Sequence, residues 1–523
     1  MTGLGPLVRA HLRRDRVRTV VWIASIVLLV AVTASSTKAI YPDQASLDQA
    51  AALDTSAVAV AFNGPPIALD TVGGQIAFQL TTFGLILVGL MSALVVVRLT
   101  RAEEEAGRLE VVRSLPVGRQ APLAAALLVA GGMDLAVGLL SAAALAGNGL
   151  PLAGSLAVGA QFAAFGLAFA GVAAVTAQVS ENRRVASGIA GALLGAGFVV
   201  RAVGDIHGGG LSWLSPIGLA QKSRAYAGER WWPLLLLVAG AAALVGLAVR
   251  VVERRDLGAG LVRPRPGPAC AGPRLSSSTG LAWRLQRGGQ LWWAFGIGCL
   301  ALVYGSITGS LSDFVGENDS LNDFVARGPG SLVDAFFATS LLLLALFVAA
   351  AALQAVLRAR TEESSGRGEV VLAGAVGRRR WLGDHALVAL AGAAAIQLAA
   401  GLGLGLAAAL TDEPADLARA TLASLAYVPA VWIVTGVAVL IVGAAPRWAT
   451  LAWAPLAYCF VVGLFGQLLH LPQPLRDLSP FELTPAVPGA AFDLVPIIAL
   501  TAVATALVAA GLAAFERRDL ASG

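Results

Sequence analysis

Charge is what this chain has least of: Asp, Glu, Lys and Arg make up 13% of its 523 residues, against roughly a quarter in an ordinary soluble domain. So few charges cannot cover a surface that meets water on all sides, and a freely soluble globular protein is excluded. Lysine is scarcer still, occurring only as Lys38 and Lys222. A phosphate-binding loop needs a Gly-Lys step followed by Ser or Thr, but Lys38 follows Thr37 and Lys222 follows Gln221. No nucleotide-hydrolysing loop of that type exists here. Cys270, Cys299 and Cys459 fall far apart, without the spacing of a disulfide framework or a metal cluster. His11, His207, His385 and His470 are equally isolated, so no metal site is expected. No nucleophile and base pair up, and no catalytic residue is assigned.

What is abundant is hydrocarbon. The chain is 57% hydrophobic with a mean hydropathy of +0.76. Runs such as TVVWIASIVLLVAVTASS from Thr19 and LLLLALFVAAAALQAVL from Leu341 approach or match the roughly 20 apolar residues of a bilayer-spanning helix. A β-barrel would instead show short alternating segments. The fold class expected is an all-α polytopic membrane protein in the plasma membrane. Apolar runs set against charged breaks predict twelve transmembrane helices, at 20–38, 74–97, 121–147, 152–178, 186–204, 232–251, 291–309, 333–357, 383–410, 417–444, 450–470 and 489–514.

The sequence pI near 9.5 raises nucleic acid as a partner. The arginines, however, sit in short loops beside apolar runs, as positive-inside topology requires, so no nucleic acid is expected. Arg9, Arg13, Arg14, Arg16 and Arg18 precede the first run, whereas loop 39–73 carries Asp43, Asp48, Asp54 and Asp70 and no Arg. The N-terminus is therefore expected in the cytoplasm, and twelve spans return the C-terminus to the same side. The first run lacks a small-residue cleavage site and is read as a retained span. Loop 205–231 breaks the rule, holding Lys222, Arg224 and Arg230 on the outer side; Trp213, Trp231 and Trp232 mark it as folding back towards the membrane surface.

The two halves repeat. Gly64-Pro65 and Asp70 answer Gly328-Pro329 and Asp334, and ERRDL at 253–257 answers ERRDL at 516–520. Between these lies a third match: RAEEEAGRLEVVRSLPVGR at 101–119 answers RTEESSGRGEVVLAGAVGR at 360–378. Each half is expected to be a six-helix unit, 1–257 and 281–523, joined by a Gly/Pro/Ser-rich cytoplasmic linker at 258–280.

In these charged cassettes Glu103, Glu104 and Glu105 extend the helix that leaves the membrane near Arg98, and Gly107 is placed to end it. Glu104 with Arg108, and Glu363 with Arg367, have the four-residue spacing of a helical ion pair. After the glycine, RLEVVRSL is long enough for two turns with Leu109, Val112 and Leu115 on one face, stopped by Pro116. A single such loop reads as a solubilised positive-inside connection. Its duplication points to constraint, and a short surface helix displayed twice suits a cytoplasmic partner with two equivalent sites.

The order acidic pair, Gly, Leu-Glu, aliphatic pair, Pro, Arg resembles the loop between the second and third spans of ABC-2 type exporter permeases, there called the coupling helix. It is carried here by Glu103, Glu104, Gly107, Leu109, Glu110, Val111, Val112, Pro116 and Arg119. The second copy keeps Glu362, Glu363, Gly366, Glu369, Val370, Val371 and Arg378 but has Gly368 for the Leu and Ala375 for the Pro. Those departures predict a less regular second helix. The double-length layout is similar to the fused actinobacterial permeases of tetronasin-type and multidrug efflux. The resemblance implies a permease that exports hydrophobic or amphipathic compounds such as antibiotics. It also implies that Arg108 and Arg367, with the residues just named, couple to a separate ABC ATPase present in two copies. ATP and Mg would then sit on that partner, with no cofactor on this chain.

Charges inside spans are costly and read first as functional; Asp134 is the clearest, with a substrate or proton role set against hydrogen bonding between helices. Phe78, Phe83, Phe336 and Phe337 are candidates to line an apolar substrate cavity. Gln75, Gln79, Gln161 and Gln397 suit helix packing, and RGGQ at 287–290 suits an amphipathic helix before a span. Two other readings fit twelve spans. An ion-coupled secondary transporter is disfavoured by the Glu-rich cassettes, the long loop 39–73 and the few midplane charges; a non-transporting scaffold remains open.

Overall fold

The computed structural model describes residues 2–520 except 54–56, 207–209, 257, 263–269, 271, 273–274, 317–331, 412–414, 466–471, 486 and 488–492. Asp54, His207, His470, the Gly328-Pro329 repeat and part of the 258–280 linker lie outside the described residues. Among those described there is no strand, because in lipid each backbone N–H and C=O must be satisfied within its own segment or a closed barrel. Among the described residues ten helices are long and apolar enough to cross a membrane. The expected span at 291–309 falls within the helix Ser278–Gly316, and that at 450–470 begins as the helix Trp453–Phe465. The chain divides into two compact units, Met1–Gly267 and Pro268–Gly523.

In the first unit α1 (Leu4–Arg14) precedes α2 (Arg16–Ile40), and α3 (Gln44–Leu53) and α4 (Ala57–Asn63) form the connection to α5 (Val72–Leu99). Two short helices follow, α6 (Arg101–Glu105) and α7 (Arg108–Arg113), then the long α8 (Ala121–Gly147), α9 (Leu152–Val179) and α10 (Arg183–Ile206). A short α11 (Pro216–Gln221) leads to α12 (Trp232–Arg254). Helices α5 and α9 form the centre, each packing on several others. Association in lipid relies on close van der Waals contact between small residues, and α8 meets α9 at Gly138 and Gly159, where a Cβ on either would strike the other's carbonyl.

Within loop 205–231, Gly210–Leu214 and α11 pack on α10, and Trp213 stacks on Trp232 with centroids 5.3 Å apart. The glutamines of the spans act between elements. Gln161 donates to Ser223 Oγ at 2.7 Å and Gln397 to the Ser424 carbonyl at 3.1 Å.

The second unit runs α13 (Ser278–Gly316), α14 (Leu332–Ser364), α15 (Arg367–Leu372), α16 (Arg378–Thr411), α17 (Ala415–Leu425) and α18 (Val428–Ala444). It continues through α19 (Trp453–Phe465) and α20 (Gln473–Arg476) to α21 (Leu494–Arg517). RGGQ is plain helix inside α13, with Gln290 donating to the Val388 carbonyl on α16 at 3.0 Å. The order long helix, glycine, six-residue helix, long helix thus occurs in both units, at α5 to α8 and at α14 to α16.

Candidate functional site

Each cassette turns on one glycine. Gly107 at φ 72° and Gly366 at φ 73° occupy the left-handed region, which costs an L side chain about 1–2 kcal/mol. The chain turns there and starts a new six-residue helix, α7 in one half and α15 in the other. The second helix is therefore as regular as the first despite Gly368 and Ala375, correcting the expectation drawn from those departures. The two-turn reading of the first is corrected as well. Helix α7 ends at Arg113, so Leu109 and Val112 are half-buried while Leu115 and Pro116 lie beyond it, exposed.

The ion pairs also differ from the expected four-residue spacing. Because the glycine breaks the helix, Arg108 reaches Glu103 through Nε to Oε2 at 2.8 Å and Nη2 to Oε1 at 2.9 Å. Arg367 grips Glu362 likewise, at 2.8 and 3.3 Å. These hydrogen bonds push both guanidiniums above the ordinary arginine range.

Glu104 and Glu363 point the other way, into protein. Arg255 Nη2 lies 3.0 and 2.9 Å from the two Glu104 oxygens, Arg101 Nη1 is 3.0 Å away, and the Gly258 N–H donates at 2.6 Å. In the second half Arg518 donates to the two Glu363 oxygens at 2.6 and 2.9 Å, and Arg360 stands at 3.2 Å. Arg119 Nη2 then donates to the Arg255 carbonyl at 2.5 Å, as Arg378 Nη1 does to the Arg518 carbonyl at 2.6 Å. Each cassette thus grips the third residue of an ERRDL repeat: its second acid takes the arginine side chain and its last arginine takes the backbone of that residue. The Arg518 contact is two-pronged, Nη1 and Nη2 each taking one Glu363 oxygen, and so fixes orientation as well as distance, whereas Arg255 sets a single Nη2 between both Glu104 oxygens.

The halves differ in one partner. In the first, Arg14 on α1 makes a second fork on Glu103, at 2.9 and 2.8 Å, and the Thr2 carbonyl accepts from Gly118 N at 3.1 Å. His11, on the same helix, is held below its usual value by burial and by Arg14. In the second half Arg358, one turn before Glu362 on α14, supplies the contact at 2.8 Å.

The acids are therefore struts, and what the short helices offer outward is different: Val111 is 70% exposed and Val370 77% exposed, beside the exposed Glu110 and Glu369. Both valines belong to the aliphatic pairs of the repeat, but their outward direction depends on where the glycine starts the helix. Arg255, Arg518 and Arg14 were likewise not assigned from sequence; the shared ERRDL motif was the signal for the first two.

The span candidates fall in separate places. Asp134 is fully buried and accepts from Ser92 Oγ across α5 and α8, with Oδ2 unpartnered. Phe78 is buried at a small cavity with Gln161, Gln221 and Arg224. Phe83 is exposed, Phe336 lies edge-on to Tyr304, and Phe337 belongs to the core of its own unit. Among the described residues no group of His, Cys, Asp and Glu could hold a metal ion.

Residues 275–516 match the family described as Multidrug efflux system permease Rv1217c, C-terminal domain. Over 524 residues the chain is 41% identical to the Multidrug efflux system permease protein Rv1217c of Mycobacterium tuberculosis, covering 99% of this chain and 95% of that protein.

Proposed function

The chain belongs to the family of ABC-2 type multidrug efflux permeases, and on that premise we propose that its two cassettes are the docking elements through which a pair of cytoplasmic ABC ATPase subunits drives export. The permease is a multi-pass membrane transport subunit, and an efflux permease of this family works with an ABC ATPase. ATP and Mg belong to that partner. Its cargo in this reading is a hydrophobic or amphipathic compound, and the cassettes, with both termini, face the cytoplasm.

The observation that carries the proposal is the paired clamp: Glu104 on Arg255 and Glu363 on Arg518, each beneath a short helix that presents a bare valine. A helix that pushes must be stiffly joined to what it moves. These clamps tie the acidic segment just before each short helix to the end of its unit's last long helix, α12 or α21. A push on Val111 or Val370 would then reach two long helices at once. An exposed apolar side chain on a rigid support also suits a protein groove.

The test is co-purification of the ATPase with full-length permease carrying Val111→Asp and Val370→Asp together. We expect loss of the bound ATPase and of ATP-driven efflux, with unchanged thermal unfolding of the permease. Retained ATPase at wild-type yield would overturn the docking assignment. Efflux that survives without ATP and collapses with the proton gradient would favour an ion-coupled carrier.

A further inference from the structure

A groove of about 670 Å³ runs along α1 where it lies on α8, lined by Leu4, Gly5, Val8, Leu12 and Leu128 and rimmed by Arg9, Arg13 and Arg16. The two sets of residues follow the helical period. Leu4, Val8 and Leu12 are four apart and line the groove floor, while Arg9, Arg13 and Arg16 recur at four and three along its edge. The three arginines are exposed, and among the described residues none of them has a carboxylate partner. Arg14, on the opposite side of α1, does have one, in Glu103.

Depth identifies the occupant. Arg16 is the first residue of α2, an apolar span of 25 residues, so the arginine edge stands where hydrocarbon gives way to water. Just below it Val17, Val20 and Val21 are exposed on α2, and Leu128 is exposed on α8. An occupant must therefore present an anion at the level of the arginines and hydrocarbon beneath it. We propose that this groove is a binding site for an anionic phospholipid, its phosphate held by Arg9, Arg13 and Arg16 and one acyl chain lying against Leu4, Val8, Leu12 and Leu128. A zwitterionic lipid satisfies the apolar floor but leaves the three cations without net compensation. Arginines near a membrane surface attract anionic lipid, and three of them sharing one phosphate leave an expected preference on the order of tenfold.

The test is native mass spectrometry of the full chain released from detergent after titration with phosphatidylglycerol or, separately, phosphatidylcholine. Wild-type protein should take its first phosphatidylglycerol about tenfold more tightly. Arg9→Gln, Arg13→Gln and Arg16→Gln together should bring the two lipids to parity. Arg183→Gln with Arg184→Gln, exposed arginines outside the groove of which Arg183 pairs with Glu105, should leave the preference intact. If removing the three arginines alters insertion, Leu128→Trp keeps the charges, fills the floor and should weaken phosphatidylglycerol binding several-fold. A preference that survives in the triple variant, an equal loss in the Arg183/Arg184 control, or full binding by Leu128→Trp would each overturn the site; the second would mean diffuse charge attraction only.

Discussion

Glu103 and Glu104 are adjacent, chemically identical and both ion-paired, yet the structure predicts unequal costs for losing them. The Glu104 side chain is 5% exposed, and those of its partners Arg101 and Arg255 are 1% and 10% exposed. Removing one member of a buried pair leaves a charge uncompensated in protein and costs about 3–5 kcal/mol. Arg101 keeps bonds of 2.8 and 2.6 Å to the Ala177 carbonyl, so Glu104→Ala should fall at the lower end, about 3 kcal/mol. Glu103 is different because its partners reach water: the Arg108 side chain is 59% exposed and that of Arg14 42% exposed. Water replaces what the mutation removes, and exposed pairs contribute little. Glu104→Ala should therefore lower the unfolding midpoint of the purified full-length chain far more than Glu103→Ala, and Glu363→Ala more than Glu362→Ala. A double-mutant cycle sharpens the test. Glu104→Ala with Arg255→Ala should cost about 2 kcal/mol less than the sum of the single changes, since the second removes the charge the first stranded. Equal midpoints for Glu103→Ala and Glu104→Ala, or strict additivity with Arg255→Ala, would refute the buried clamp. In efflux assays Glu104→Ala with Glu363→Ala should lose transport while membrane insertion persists.

Gly107→Ala meets no atom within 4 Å, so its cost should be conformational alone, about 1–2 kcal/mol, with Gly107→Asn milder because Asn tolerates the left-handed region; thermal unfolding of both variants checks the order. Gly138→Val places a branched side chain against the Gly159 carbonyl and should separate α8 from α9, seen as a sharp fall in the yield of monodisperse protein. Asp134→Asn keeps an acceptor for Ser92 and should preserve folding and efflux; a folded but transport-dead Asp134→Asn would show that the acid carries a proton or cargo contact.

Much of this could be read along the chain. Hydrophobic runs bounded by arginine located the long helices because lipid demands about 20 apolar residues whatever the neighbours are. Ten of the twelve expected spans coincide with helices that are, among the described residues, long and apolar enough to cross a membrane, and Gly107 ends its helix as its residue type requires. The partners of the cassette acids could not be read, because Arg255 lies 151 residues from Glu104 and Arg518 lies 155 from Glu363. Four-residue spacing suggested Arg108 instead, which holds only if a helix is continuous; the glycine turn shifts that arginine to Glu103.

The sequence by itself determined that this protein lives in a bilayer, that it is built twice, and that each half keeps one acidic, glycine-punctuated element, since composition and repetition survive without coordinates. Only the tertiary structure decided what those residues do. Burial separates the strut acids Glu104 and Glu363 from the outward valines Val111 and Val370, and burial depends on which distant arginine packs against which carboxylate.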